Sequence, residues 1–148
     1  MKPILAVMVG ISGSGKSTYA NGLKTSLNAQ LIETDAIRQE LTGNAEDQTQ
    51  NGRVFDVAKR RVDNSLSQGK NTIIDATSLG VKDRKDWIEI GKANNAEVRA
   101  YFIDTPVDVA KQQNSNRSRK VPDFVIEKQA SKLHSPTKAE GFDNVITI

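Results

Sequence analysis

The sequence predicts a three-layer α/β fold: a five-stranded, mostly parallel sheet with helices on both faces. Three observations predict it. Strand-like apolar runs alternate with helix-like amphipathic stretches five times along the chain. The first run, ILAVMV at residues 4–9, is apolar without alternation, as a strand buried on both faces should be. It passes directly into GISGSGKST, residues 10–18, a glycine-rich turn placed where a strand hands over to a helix. Parallel strands need right-handed crossovers, and ligands of such sheets bind beyond the carboxyl ends of the strands.

The elements follow in order. After Lys16, Tyr19, Ala20, Leu23 and Leu27 fall near one face of a helix. Residues 30–34 (QLIET) form a second strand, and Asp35 is placed as the N-cap of a helix with Ile37 and Leu41 on its inner face. Residues 43–52 read as a polar loop without assigned chemistry. A helix is expected over 53–68. Val54, Val57, Ala58, Val62 and Leu66 give its apolar face; Arg53, Lys59, Arg60 and Arg61 make a basic face, either solvated or an electrostatic rim. A third strand over 71–75 ends on Asp75, and a helix over 81–94 carries Trp87, expected in the core. A fourth strand over 97–104 leads to a helix opened by Thr105 as cap, Pro106 at the first position and Asp108 closing a capping-box-like pair. Residues 114–120 (NSNRSRK) are a basic connector, 123–133 a helix, 135–141 a loop and 144–148 a last strand. The carboxyl ends of the first four strands should bring together the glycine loop, Asp35, Asp75 and Asp104.

At 148 residues the chain, 1–148, is expected to be one domain. A mean hydropathy of −0.51 and the lack of a long apolar run argue against a membrane span, and no secretory signal is expected, so the default location is cytoplasmic. No cysteine is present, which excludes disulfides and thiolate metal sites. The net charge of +3 and pI of about 9.2 are compatible with an anionic partner but do not specify one.

The glycine loop carries the chemistry. Gly10, Gly15, Lys16 and Ser17 stand at the spacing of a phosphate-binding loop: glycines let successive N–H groups converge on an anion, the lysine meets the β- and γ-phosphates, and the serine hydroxyl can ligate Mg²⁺. The nucleotide contacts are assigned to Gly10, Ser12, Gly13, Ser14, Gly15, Lys16, Ser17 and Thr18. Transfer to a hydroxyl needs more: a carboxylate for the acceptor proton, a cation for the acceptor, and arginine for charge spreading over the phosphoryl group. Asp35 and Arg38, three apart on a helix, can supply the first two. Arg117 and Arg119 lie in a lid segment, about residues 114–122, that can close on the donor. Asp75 ends its strand as a Walker B aspartate does, touching Mg²⁺ or orienting an arginine. His134 is read as a surface residue without a chemical role.

The segments GISGSGKST, ETDAIRQEL, IIDAT, NSNRSRKVPDFVI and PTKAEGFDNVI together resemble the 5′-hydroxyl polynucleotide kinases of phages and end-healing repair enzymes. The resemblance implies a P-loop kinase fold, ATP and Mg²⁺ as cofactors, and a nucleic acid with a 5′-hydroxyl end as partner. It implies Lys16 and Ser17 at the phosphates and metal, Asp35 as general base and Arg38 on the acceptor's 3′-side phosphate. It also implies Arg117 on the donor phosphates, Asp75 in support, and residues 136–143 beside the donor's base. Arg119 has no counterpart role, and the low aromatic content shows no base-stacking platform. Two alternatives stand: a kinase for a small hydroxyl metabolite or nucleotide sugar, and a nucleotide-binding switch that transfers nothing.

Overall fold

The computed structural model describes residues 2–117 and 120–148. The strands are β1 (Ile4–Val9), β2 (Gln30–Glu33), β3 (Thr72–Asp75), β4 (Glu97–Phe102) and β5 (Asn144–Thr147). The helices are α1 (Lys16–Ser26), α2 (Thr34–Thr42), α3 (Asn51–Ser67), α4 (Val81–Ala93), α5 (Val107–Ser115) and α6 (Asp123–Lys132), with a 3₁₀ turn at Lys138–Glu140. The sheet order is β2-β3-β1-β4-β5, and every strand pair is parallel, so the expected "mostly parallel" sheet is parallel throughout.

The pleat of β1 divides the core into two layers. Leu5 and Val7 point to the face covered by α2, α3 and α4, where they meet Ile37, Val54, Val62 and Trp87. Ala6 and Met8 point the other way, to Ala20 and Leu23 of α1. Trp87 is buried in the first layer with the Phe55 ring 6.5 Å away, the core role expected of it. A third cluster of Ile11, Leu79, Ala110 and Ile126 seats α5 and α6 over the carboxyl end of the sheet. That cluster positions the site, because it packs α6 against the glycine loop.

Several local expectations differ from the structure. Asp35 does not cap α2; the helix begins one residue earlier, at Thr34, after Glu33 in extended conformation, so Asp35 lies in the first turn. Thr105 does not cap α5 either. Its hydroxyl donates to the Ser14 carbonyl at 2.7 Å, tying the connection after β4 to the glycine loop, and α5 starts at Val107 behind an extended Pro106. α3 begins at Asn51, so Asn51 and Gly52 belong to the helix and not to the polar loop. The basic face of α3 turns away from the cleft described below: Lys59 pairs with Asp86 and Arg61 with Glu40, both at 2.9 Å on the surface. Asp104 is exposed and does not join the other strand-end groups.

One buried ion pair escaped the sequence altogether. Arg84 of α4 is fully buried, and its Nε and Nη2 donate to the two carboxylate oxygens of Glu140 at 2.8 and 3.0 Å. Its Nη1 donates to the carbonyls of Ser78, Leu79 and His134, at 2.9, 3.0 and 2.9 Å. One side chain therefore joins the loop after β3, the end of α6 and the 3₁₀ turn. His134 itself is exposed, and its N–H donates to the Leu79 carbonyl at 2.9 Å.

Candidate active site

Beyond the carboxyl ends of the strands lies a cleft of about 1780 Å³. Its floor is the glycine loop. Gly13 and Gly15 have φ of +81° and +95°, the left-handed conformation that favours glycine. A Cβ on Gly13 would stand 2.3 Å from the Ala110 carbonyl oxygen, so the loop is pressed against α5 at a distance no side chain permits. Gly15 offers no side chain to cap α1, which leaves the first-turn amides of Lys16, Ser17 and Thr18 directed at the cradle. A second fixing contact was not foreseen. The Ser12 N–H donates to Gln129 Oε1 at 2.7 Å, and Gln129 Nε2 donates to Ser12 Oγ at 3.1 Å. Ser12, expected among the phosphate contacts, thus gives its N–H to α6. The Ser14 hydroxyl lies buried beneath the loop and has no hydrogen-bond partner among the described residues.

Lys16 and Ser17 converge on Asp75. Lys16 Nζ lies 2.5 Å from Asp75 Oδ1, and Ser17 Oγ donates to Oδ2 at 2.9 Å. A hydroxyl and a carboxylate side by side are hard oxygen donors of the kind Mg²⁺ takes when its remaining ligands are water and phosphate. The donor set therefore fits the ion, and Ser17 and Asp75 would hold it.

One wall of the cleft comes from β2 and α2. Arg38 is buried, while the Asp35 side chain is 53% exposed to the cleft; Arg38 Nη1 donates to Asp35 Oδ1 at 2.7 Å. The expected couple thus stands on the same cleft as the phosphate loop. Asn51, placed in a loop without chemistry by the sequence, accepts from Arg38 Nε and Nη2 at 3.2 and 3.1 Å.

Glu33 was also missed. The parallel register sets it opposite Asp75, and it lines the cleft. Burial, then the neighbouring Asp75 carboxylate, raises its pKa above the ordinary glutamate value, with Lys16 opposing. A raised folded-state pKa stabilises the fold below the unfolded pKa and loses that contribution as pH climbs through the folded value. Glu33→Gln should therefore raise the melting temperature of the nucleotide-free protein at neutral pH, and the gain should vanish under acid conditions. Thermal melts across pH check this; a gain that persists in acid contradicts it.

On the opposite side, Arg117 lines the cleft just after α5, its N–H donating to the Asn114 carbonyl at 3.1 Å. The connector it begins is pinned at its root. Buried Asn114 donates to the Val121 carbonyl at 2.7 Å and accepts from the Val121 N–H at 3.1 Å. Arg119 lies outside the described residues. The face of α6 toward the cleft carries Phe124, Val125, Lys128, Gln129 and Lys132, an i, i+4, i+8 pattern hidden by the helix's weak amphipathicity. Residues 136–143 do not line the cleft. Glu140 turns in to Arg84, and Phe142 is buried against the first core layer. The donor-base role that the resemblance implied for this tail has no contact supporting it.

Three comparisons with known proteins bear on this geometry. The family description "AAA domain" matches residues 5–136. The bifunctional polynucleotide phosphatase/kinase of Schizosaccharomyces pombe is 23% identical over 95% of this chain and 32% of its own length. An adenylyl-sulfate kinase of Buchnera aphidicola is 29% identical over 78% of this chain and 58% of its own. A structure of the Pnkp1/Rnl/Hen1 RNA repair complex superposes with a TM-score of 0.78 at 25% identity, covering 89% of this chain and 44% of that one. The chain thus spans about a third of the Schizosaccharomyces relative's length.

Proposed function

The chain belongs to the AAA domain family and has the P-loop kinase fold, and from that premise we propose that it moves the γ-phosphoryl group of ATP to a 5′-hydroxyl end of DNA or RNA. The observation that carries this is the couple of exposed Asp35 and buried Arg38 on the same cleft as Lys16 and Ser17. A switch that transfers nothing needs no carboxylate and arginine on an acceptor wall. The cleft, at about 1780 Å³, also exceeds the roughly 300–1,000 Å³ of a single small-molecule pocket, leaving space for donor and acceptor together.

The steps follow from the residues. The loop amides and Lys16 hold the β- and γ-phosphates, with Arg117 added from the lid side. Ser17 and Asp75 would hold Mg²⁺, which supplies charge neutralisation on the phosphates. Arg38 grips an anionic group of the acceptor, and Asp35 orients the 5′-hydroxyl and takes its proton. The 5′-oxygen forms a bond to the γ-phosphorus as the bond to the β,γ-bridging oxygen breaks, and ADP leaves. In a loose transition state the proton departs late, so Asp35 needs position more than basicity.

A second acceptor class, a small hydroxyl metabolite, is supported by the adenylyl-sulfate kinase relative. Labelled-phosphate transfer from ATP to a 5′-hydroxyl oligonucleotide, a free nucleoside, a sugar and adenylyl sulfate separates the two. The oligonucleotide should have the highest kcat/KM; a higher value for any small acceptor overturns the proposal in favour of that class.

A further inference from the structure

Arg38 is held in a way that selects which edge of its guanidinium meets the cleft. The group has five N–H donors. Nε and Nη2 both donate to Asn51 Oδ1, and Nη1 donates to Asp35 Oδ1. Those bonds leave one N–H on each terminal nitrogen, two donors for oxygens of one phosphate. The other edge, through Nε, is occupied by Asn51. Asn51 is oriented in its turn, because its Nδ2 donates to Gln48 Oε1 at 2.9 Å and so turns its oxygen to Arg38. Gln48 sits in a turn closed by Asp47, which accepts from the Thr49 N–H and hydroxyl at 2.8 and 2.6 Å. Gln48, Asn51, Arg38 and Asp35 all line the cleft.

The amide at position 51 matters for charge as well as shape. It holds the guanidinium from the side opposite Asp35 without adding a second negative charge. Part of the cation's field remains for an incoming anion.

Resting on the transfer proposed above, we infer that Asn51, set by Gln48, is a positioning residue that makes Arg38 a reader of the phosphodiester next to the accepting 5′-nucleoside. The pair thereby favours phosphate-bearing acceptors over bare nucleosides.

The test compares two acceptors, a 5′-hydroxyl dinucleotide and the corresponding free nucleoside. In Asn51→Leu, kcat/KM for the dinucleotide should fall about ten- to hundredfold, as for a lost hydrogen bond to a charged group. The nucleoside value and the KM for ATP should hold. Asn51→Asp keeps an oxygen for Arg38 Nε and Nη2 but cancels charge, so it should show the same selective loss while the bond to Arg38 persists. Gln48→Ala, at an exposed residue, should give a smaller loss of the same selectivity. In protein labelled with ¹⁵N-arginine, the Arg38 Nε–H signal should be protected from exchange in the native chain and Asn51→Asp, and lost in Asn51→Leu.

Equal losses on both acceptors, a shifted KM for ATP, or an unaltered Asn51→Asp overturn the inference. Failure of the function itself reads differently. The unsubstituted chain would then transfer to neither dinucleotide nor oligonucleotide, and the inference falls with it.

Discussion

Asp35→Asn should slow phosphoryl transfer about 10²–10⁴-fold, the range a positioned general base contributes, while ATP binds as before. Asparagine retains the oxygen that accepts from Arg38 Nη1, so the α2 wall should stay in place. In the proposed transfer Asp35 faces the acceptor, whereas the loop amides and Lys16 would hold the phosphates; a loss at one should not spread to the other. Equilibrium binding of ATP and single-turnover transfer, measured on the same preparation, check both halves. If more than a tenth of the rate survives, the proton goes elsewhere. Glu33, the neighbouring cleft carboxylate with a raised pKa, is then the residue to substitute next.

Glu140→Ala should cost about 3–5 kcal/mol of stability, the usual penalty for stranding one partner of a buried ion pair. Arg84 and Glu140 have side-chain exposures of 0% and 6%, so Arg84 would keep its charge with only carbonyl partners. For a chain of this size that is a fall in Tm on the order of ten degrees. Replacing both partners by apolar residues of similar volume should recover much of it, since no buried charge remains. Urea unfolding of the single and double variants checks this; a single-variant loss below about 1 kcal/mol would place the pair among the weak surface type. The effect should reach the site, because Arg84 anchors the loop whose Thr77 and Leu79 line the cleft.

What was legible beforehand depended on sequence distance. The run 4–9, the glycine loop and the helix behind it are contiguous, and their chemistry is local, so strand, cradle and α1 lie where the pattern puts them. Asp35 and Arg38 are three apart on one helix, and Asp75 ends its strand; both were readable for the same reason. Glu33 was not, because its cleft position comes from pairing β2 with β3. Asn51 meets Arg38 across a loop, Gln129 meets Ser12 from the other end of the chain, and Arg84 finds Glu140 from α4. Thr105 shows the competition directly. Its hydroxyl had a good local use as a cap, and a backbone carbonyl of the glycine loop took it instead.

The most direct measurement locates the transferred phosphate. The chain is incubated with γ-labelled ATP, Mg²⁺ and a 5′-hydroxyl oligonucleotide, and the product is digested to 5′-mononucleotides. Recovery of the label in the terminal nucleotide, slowed about a hundredfold or more in Asp35→Asn, is the predicted result. Label found only in free phosphate, or in the terminal nucleotide at the same rate without the Asp35 carboxylate, would contradict a cleft that sets this donor against this acceptor.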